Sequence, residues 1–204
     1  MTGVTIGLIF ECGPQGADKQ VCEYLVKQLK PGVRVTSATL DNKDNLLRDA
    51  GKVAAQMHKD GCACVLIVWD LRPAWPDMKN KPCRHDERQA LLRSLGEAGL
   101  AAGASVYLVC IEQELESWLL ASDHAIAALL STAAHAYPVG RVKAPDSVLQ
   151  PKAALIAHFK NARNWRYDDK VDAIRVLKAV DVDLRRLRRS ASFARFESKL
   201  NSGV

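Results

Sequence analysis

Apolar residues fall into two alternating patterns along the first three quarters of the chain. Short unbroken runs occupy Val4–Phe10, Ala63–Trp69 and Ala104–Ile111. Runs of this length, rich in β-branched residues, predict strands covered on both faces. Val33–Leu40 alternates and predicts another strand. Between these segments the apolar spacing becomes helical. Val21, Tyr24, Leu25, Val26 and Leu29 follow Asp18 as a cap and stop at Pro31-Gly32, and Leu46, Leu47, Val53, Ala54 and Met57 stop at Gly61. After a loop with three prolines, Leu71–Pro82, a helix is expected near Arg84–Ala98, and one more holds Trp118, Leu119, Ile126, Leu129 and Leu130. Strands alternating with helices imply right-handed βαβ crossovers, a mostly parallel sheet and the α/β class.

From about residue 151 the pattern is helical throughout. Pro151–Ala162 predicts one helix, Ile174, Leu177, Val180, Leu184 and Leu187 a second, and Phe193, Phe196 and Leu200 a short last one. The expected organisation is an α/β domain over 1–150 with a helical extension over 151–204 packed on it. Charge divides at the same place. Residues 1–150 carry 16 basic and 17 acidic side chains, whereas 151–204 carry 13 and 6, so the net charge of +6 comes from the extension. Of the 204 residues, 48% are hydrophobic and 25% charged, a globular composition that excludes a disordered or fibrous chain. No apolar run is long enough to cross a bilayer, and the N-terminus lacks the cationic start of a signal peptide. Six cysteines at irregular spacing, Cys12, Cys22, Cys62, Cys64, Cys83 and Cys110, fit reduced thiols in a cytoplasmic protein.

Three of the apolar runs end in an acid: Phe10-Glu11, Trp69-Asp70 and Ile111-Glu112, with Glu114 and Glu116 just beyond. A parallel sheet brings all carboxyl ends of its strands to one edge, where such folds bind ligands. Crowded carboxylates need a compensating cation, and hard oxygen donors suit Mg2+ or Mn2+. The plainer reading takes each acid as a solvated strand end or a partner of a helix dipole. That reading serves Glu112, Glu114 and Glu116 taken alone; for three strand ends together the metal reading is preferred.

The same residues carry a family resemblance. Ile9-Phe10-Glu11-Cys12-Gly13, with Asp18 opening the next helix, resembles the first motif of TOPRIM domains, and Val68-Trp69-Asp70-Leu71-Arg72 sits where that family has Asp-x-Asp. Glu112 to Asp123, which reads Glu-Gln-Glu-Leu-Glu-Ser-Trp-Leu-Leu-Ala-Ser-Asp, resembles the acidic Trp-Leu-Leu motif of small bacterial TOPRIM-like proteins related to the OLD (overcoming lysogenisation defect) nucleases. Pro151-Lys152, Tyr167-Asp168-Asp169-Lys170 and Ser192–Phe196 extend the likeness through the tail. The resemblance implies a TOPRIM/Rossmann-like sheet and a Mg2+-dependent nuclease. Glu11 would be a metal ligand or general acid/base, Asp70, Glu114 and Glu116 would be ligands, and Lys152 or Lys170 would hold the scissile phosphate. It also implies a separate ATPase partner in a phage-defence or DNA-repair module. The chain departs from the pattern at Arg72, which replaces the second acid of Asp-x-Asp, and at Ser122, which takes the slot of the usual Asp and displaces it to Asp123. Asp77 is a candidate substitute. The alternative is a catalytically inactive TOPRIM-like subunit that binds nucleic acid or protein.

Arg185, Arg186, Arg188 and Arg189 form a basic cluster suited to a phosphate backbone, or else a solvated helix end favoured by the dipole. Cys62-x-Cys64 and Cys83-x-His85 are too tightly spaced for the usual zinc sites. His85 is a candidate proton shuttle or a surface histidine.

Overall fold

The computed structural model describes residues 3–72, 83–100 and 105–203. Four strands, β1 (Thr5–Phe10), β2 (Arg34–Thr39), β3 (Cys64–Asp70) and β4 (Val106–Ile111), form one sheet in the order β2-β1-β3-β4, with every neighbouring pair parallel. The α/β class is therefore what the structure shows. Phe10 lies level with Thr39 on one side and Val68 on the other, so β3 continues past β1 to Asp70, which pairs with Ile111.

Strand residues alternate between two cores. Ile6, Leu8 and Phe10 join Leu66 and Val68 in one; Ile9, Val65, Ile67 and Trp69 join the other. The second core is closed by α2 (Lys43–Lys59) and α3 (Arg84–Glu97), which supply Leu46, Ala50, Ala54, Leu91 and Leu95. These two helices meet closely. Gly51 donates its N–H to Ser94 Oγ at 3.0 Å, and Ser94 Oγ donates to Arg48 O at 2.8 Å. A β-carbon on Gly51 would fall 1.9 Å from the Ser94 carbonyl oxygen, so only glycine permits this approach.

The first core is covered by α1 (Ala17–Leu29), α4 (Glu116–Ala121), α5 (Asp123–Leu130) and the C-terminal helices α6 (Pro151–Arg163), α7 (Asp169–Lys178), α8 (Leu184–Leu187) and α9 (Ala191–Gly203). Phe159, Leu177, Leu187, Phe193 and Phe196 are all fully or almost fully buried there. Trp118 links α4 to α9. Its ring sits edge-on to Phe193 at 5.4 Å, and its Nε1 donates to Ser192 Oγ at 2.7 Å. The basic last quarter of the chain thus shares the sheet's own apolar core. Among the described residues no helix is long and apolar enough to cross a membrane.

Four helix boundaries differ from the sequence expectation. Gly16, not Asp18, occupies the cap position of α1, and Asp18 lies in the first turn. The helix expected through Trp118 and Leu130 breaks at Ser122 (φ −95°, ψ 50°) into α4 and α5. The stripe from Ile174 to Leu187 is likewise two helices. Asp183 starts the second by accepting from the backbone N–H groups of Arg185 and Arg186, a local bond that competes with a continuous helix. The last helix is not short but 13 residues long.

Candidate functional site

From β1 the chain crosses to β2 on one side of the sheet, then returns to place β3 on the other. The carboxyl ends of β1 and β3 therefore flank a topological switch point, the usual location of a ligand crevice in open α/β sheets. A cavity of about 510 Å³ opens there, walled by the Cys12–Asp18 loop, Asp70, Glu114–Glu116, Lys152, Asp169 and Lys170. The loop is tight: Gly16 N–H donates to Gly13 O at 2.8 Å, and a β-carbon on Gly16 would strike the Cys12 side chain at 2.4 Å.

Glu11 and Asp70 are joined at the base of this crevice. Glu11 Oε1 accepts from the Asp70 backbone N–H at 2.9 Å. Asp70 Oδ2 accepts from Leu115 N–H at 3.3 Å, while Asp70 Oδ1 is buried with no hydrogen-bond partner among the described residues. Burial pushes the Glu11 carboxyl up to about 7, against the pull of the Lys43 ammonium and the Asp70 N–H. Burial also drives Asp70 well above the ordinary carboxylate range, and the charges of Asp18, Glu11 and Glu116 add to it. Asp18 is raised to about 6 by burial, with Asp169 contributing, and Glu116 to about 7 by burial despite nearby Lys152. Tyr167 donates its hydroxyl to Glu116 Oε1 at 3.2 Å. Four acids, two at the ends of β1 and β3 and two in the first turns of α1 and α4, thus resist ionising together.

Of the two lysines in the crevice wall, Lys152 already sits among the acids. Lys152 Nζ lies 2.5 Å from Asp169 Oδ2 and 4.0 Å from Glu116 Oε1, and its backbone N–H donates to Glu114 Oε2 at 3.4 Å. Burial raises Asp169, but Lys152 outweighs it and brings the carboxyl below its ordinary value. A set of oxygen donors, one of them a buried oxygen without a partner, fits a hard divalent cation such as Mg2+ or Mn2+. In the present side-chain arrangement, no three acidic, histidine or cysteine side chains among the described residues are already gathered in a metal-holding group.

The structure sorts the sequence candidates. Glu11, Asp70, Glu114, Glu116, Lys152 and Lys170 all lie in or directly against the crevice. Glu112 does not: it accepts from Arg84 Nη1 and Arg195 Nη2, each at 2.7 Å, outside the cavity wall. Its two arginine partners come from α3 and α9, so membership in the acidic run does not place it in the site. Arg72 is exposed and donates its backbone N–H to Gln113 O at 3.1 Å. Asp77 lies outside the described residues. Asp123 is bound to Arg186 and Arg189, so it is a structural anchor for α8 rather than part of the crevice. Arg188 pairs with Glu197, which leaves Arg185 as the one member of the basic cluster without a side-chain partner among the described residues. His85 is exposed on α3, away from the crevice wall. The six cysteines are free, and burial raises the thiols of Cys12, Cys22, Cys62, Cys64 and Cys110.

Four further residues belong to the site. Asp18 and Asp169 supply charge, Tyr167 orients Glu116, and Lys43 fixes the backbone beneath Asp70. Lys43 is buried and donates to Asp70 O at 2.7 Å, Leu71 O at 3.2 Å and Glu87 Oε1 at 3.3 Å; Glu87 Oε2 in turn accepts from Trp69 Nε1 at 2.8 Å. The signals for Asp18 and Tyr167-Asp168-Asp169 were present in the motif resemblance, but a buried lysine opening α2 had no sequence mark.

Fold and crevice together define a class: a parallel α/β domain whose carboxyl edge carries a recessed acidic site. Comparison with known proteins gives no match, whether to a family model, a curated protein or a solved structure.

Proposed function

We propose that this chain is a Mg2+- or Mn2+-dependent, TOPRIM-type nuclease acting on phosphodiester bonds of DNA or RNA in the cytoplasm, as the effector beside a separate ATPase in a phage-defence or DNA-repair module. The observation that supports it most is the meeting of Glu11, Asp18, Asp70 and Glu116 around a buried carboxylate oxygen with no partner among the described residues. Glu11, Asp70, Glu114 and Glu116 would hold the cation. When bound, the cation supplies an activated water and neutralises charge on the phosphate. The chain's own groups then have separable tasks. Glu11 either holds the cation or acts as a general acid/base that takes or returns a proton at its carboxylate. Lys152 and Lys170 stand on the same wall and hold a phosphate oxygen by point charge. Lys43 holds the Asp70 main chain in place.

A second reading, a catalytically inactive binding subunit, is favoured by two specific features. Arg72 replaces an acid of the resembled motif, and Lys152 already sits among the acids as an internal cation. Plasmid nicking by purified protein with Mg2+ or Mn2+ separates the two. Cleavage that Asp70→Asn and Glu116→Gln abolish supports the nuclease. Cleavage unchanged in those variants refutes this site. Mn2+ binding without cleavage selects the second reading.

A further inference from the structure

We propose that a second cavity, walled by Arg141, Arg185, Arg186 and Arg189 together with Asp183, is a binding site for a phosphate group. It encloses about 290 Å³ and shares no wall residue with the acidic crevice. The inference stands on this cavity alone and does not require the crevice to be catalytic.

Two of the four arginines are built into the wall. Arg189 donates Nη1 to Val142 O at 2.8 Å, Nε to Arg186 O at 3.2 Å, and Nη2 to Ala121 O and Asp123 Oδ1. Arg186 donates Nη1 to Asp123 Oδ2 at 2.7 Å and Nε to Asp183 Oδ2 at 3.2 Å, which leaves its Nη2 group without a partner among the described residues. Their guanidinium planes are thus fixed before any ligand arrives, and little side-chain entropy remains to be lost on binding. Arg141 and Arg185 are exposed and have no side-chain partner among the described residues. Asp123 and Asp183 are the acids paired with this group, so four guanidiniums face two carboxylates.

That excess of two positive charges determines the ligand class. Like charges converging on one cavity are unfavourable, and a carboxylate would offset only one of them. A phosphate dianion offsets both and presents oxygens in the geometry that the guanidinium fork matches. The cavity has room for a phosphate together with part of what carries it. The carrier is either the end of a nucleic-acid strand or a free nucleotide. α4 links this cavity to the crevice, since Glu116 opens the helix and the Ala121 carbonyl that binds Arg189 closes it. Six residues of helix separate the two ends by roughly 9 Å.

The test is calorimetric titration of the full chain with pyrophosphate, in EDTA and at constant ionic strength. Arg141→Gln and Arg185→Gln alter exposed side chains outside the core. Each is expected to weaken binding about tenfold or more, the loss of a charge-assisted hydrogen bond. Glu11→Gln is expected to bind as the wild type does, which separates this site from the crevice. Acetate is expected not to bind. No pyrophosphate binding, equal binding of acetate, or an unchanged affinity in the Arg141→Gln/Arg185→Gln double variant overturns the proposal. Two further ligands identify the carrier while supporting the site. An oligonucleotide bound more tightly with a 5′-phosphate than with a 5′-hydroxyl, in an arginine-dependent way, assigns a strand end; arginine-dependent binding of a nucleoside triphosphate with no such difference assigns a free nucleotide.

Discussion

Glu11→Gln is expected to make the metal-free protein clearly more stable at pH 8 and to change it by less than about 1 kcal/mol at pH 5. In the fold the Glu11 carboxyl is pushed from 4.5 up to about 7, chiefly by burial. The folded state therefore keeps its proton to higher pH than the unfolded chain. The associated stability is fully present below about pH 4.5 and is lost as pH rises through about 7. At about 1.4 kcal/mol per pH unit of displacement, ionising Glu11 inside the fold costs up to about 3 kcal/mol. Residual solvent at the crevice and mutual adjustment with Asp70 reduce this to about 1–3 kcal/mol for the single site. Glutamine keeps the oxygen that accepts from the Asp70 N–H, so the backbone contact at 2.9 Å survives. A gain of this size corresponds to a melting temperature about 3–10 °C higher for a chain of this length. Thermal melts in EDTA at pH 5 and pH 8 measure it directly. Mn2+ at pH 8 should then reverse the order, stabilising the wild type more than the variant. A variant less stable at pH 8, or a difference of equal size at both pH values, refutes the account of Glu11 as a strained, ligand-seeking acid.

Gly51→Ala should lower stability by about 2–3 kcal/mol or more, because its β-carbon meets the Ser94 and Leu95 backbone, which cannot rotate away. The control Gly96→Ala, in open space on α3, should raise stability by about 0.5–1 kcal/mol in the same denaturant titration. Asp123→Asn removes the partner of two arginines at a nearly buried site and should cost about 3 kcal/mol. Glu112→Gln acts on more exposed pairs, so it should cost less than about 1 kcal/mol and leave the Mn2+ stabilisation intact. Loss of the Mn2+ response in Glu112→Gln would return that residue to the metal site.

The strands were legible because a strand buried on both faces leaves an unbroken apolar run, and β1, β3 and β4 lie within such runs. Parallel topology then brought Glu11 and Asp70 together without any knowledge of side chains. Where the reading stopped, the cause was local. Asp18 looks like a helix cap from sequence, and only packing reveals that it faces Asp70 and Asp169. Glu112 shares the acidic run of Glu114 and Glu116, but the chain turns after β4 and sends it to Arg84 and Arg195. The basic cluster looked like a uniform patch. Three of its members turn out to be bound by acids up to 66 residues distant in sequence, pairings that no helical spacing encodes.

The protein holds two cavities whose charges are unbalanced in opposite directions. Neither is explained by folding. A chain selected only for stability would not crowd Glu11, Asp18, Asp70 and Glu116 into a recess where burial and mutual repulsion raise their pKa values, nor gather Arg141 and Arg185, without side-chain partners among the described residues, beside two fixed arginines. Local conflicts of this kind concentrate where a ligand resolves them. Lys152 partly resolves the first, but at 4.0 Å from Glu116 and in contact with Asp169 it serves the rim and leaves Asp70 Oδ1 without a partner among the described residues. A divalent cation would complete the acidic recess, and a phosphate dianion the arginine cavity. A strand that bears a terminal phosphate, one of the two carriers proposed for the arginine cavity, would meet both needs.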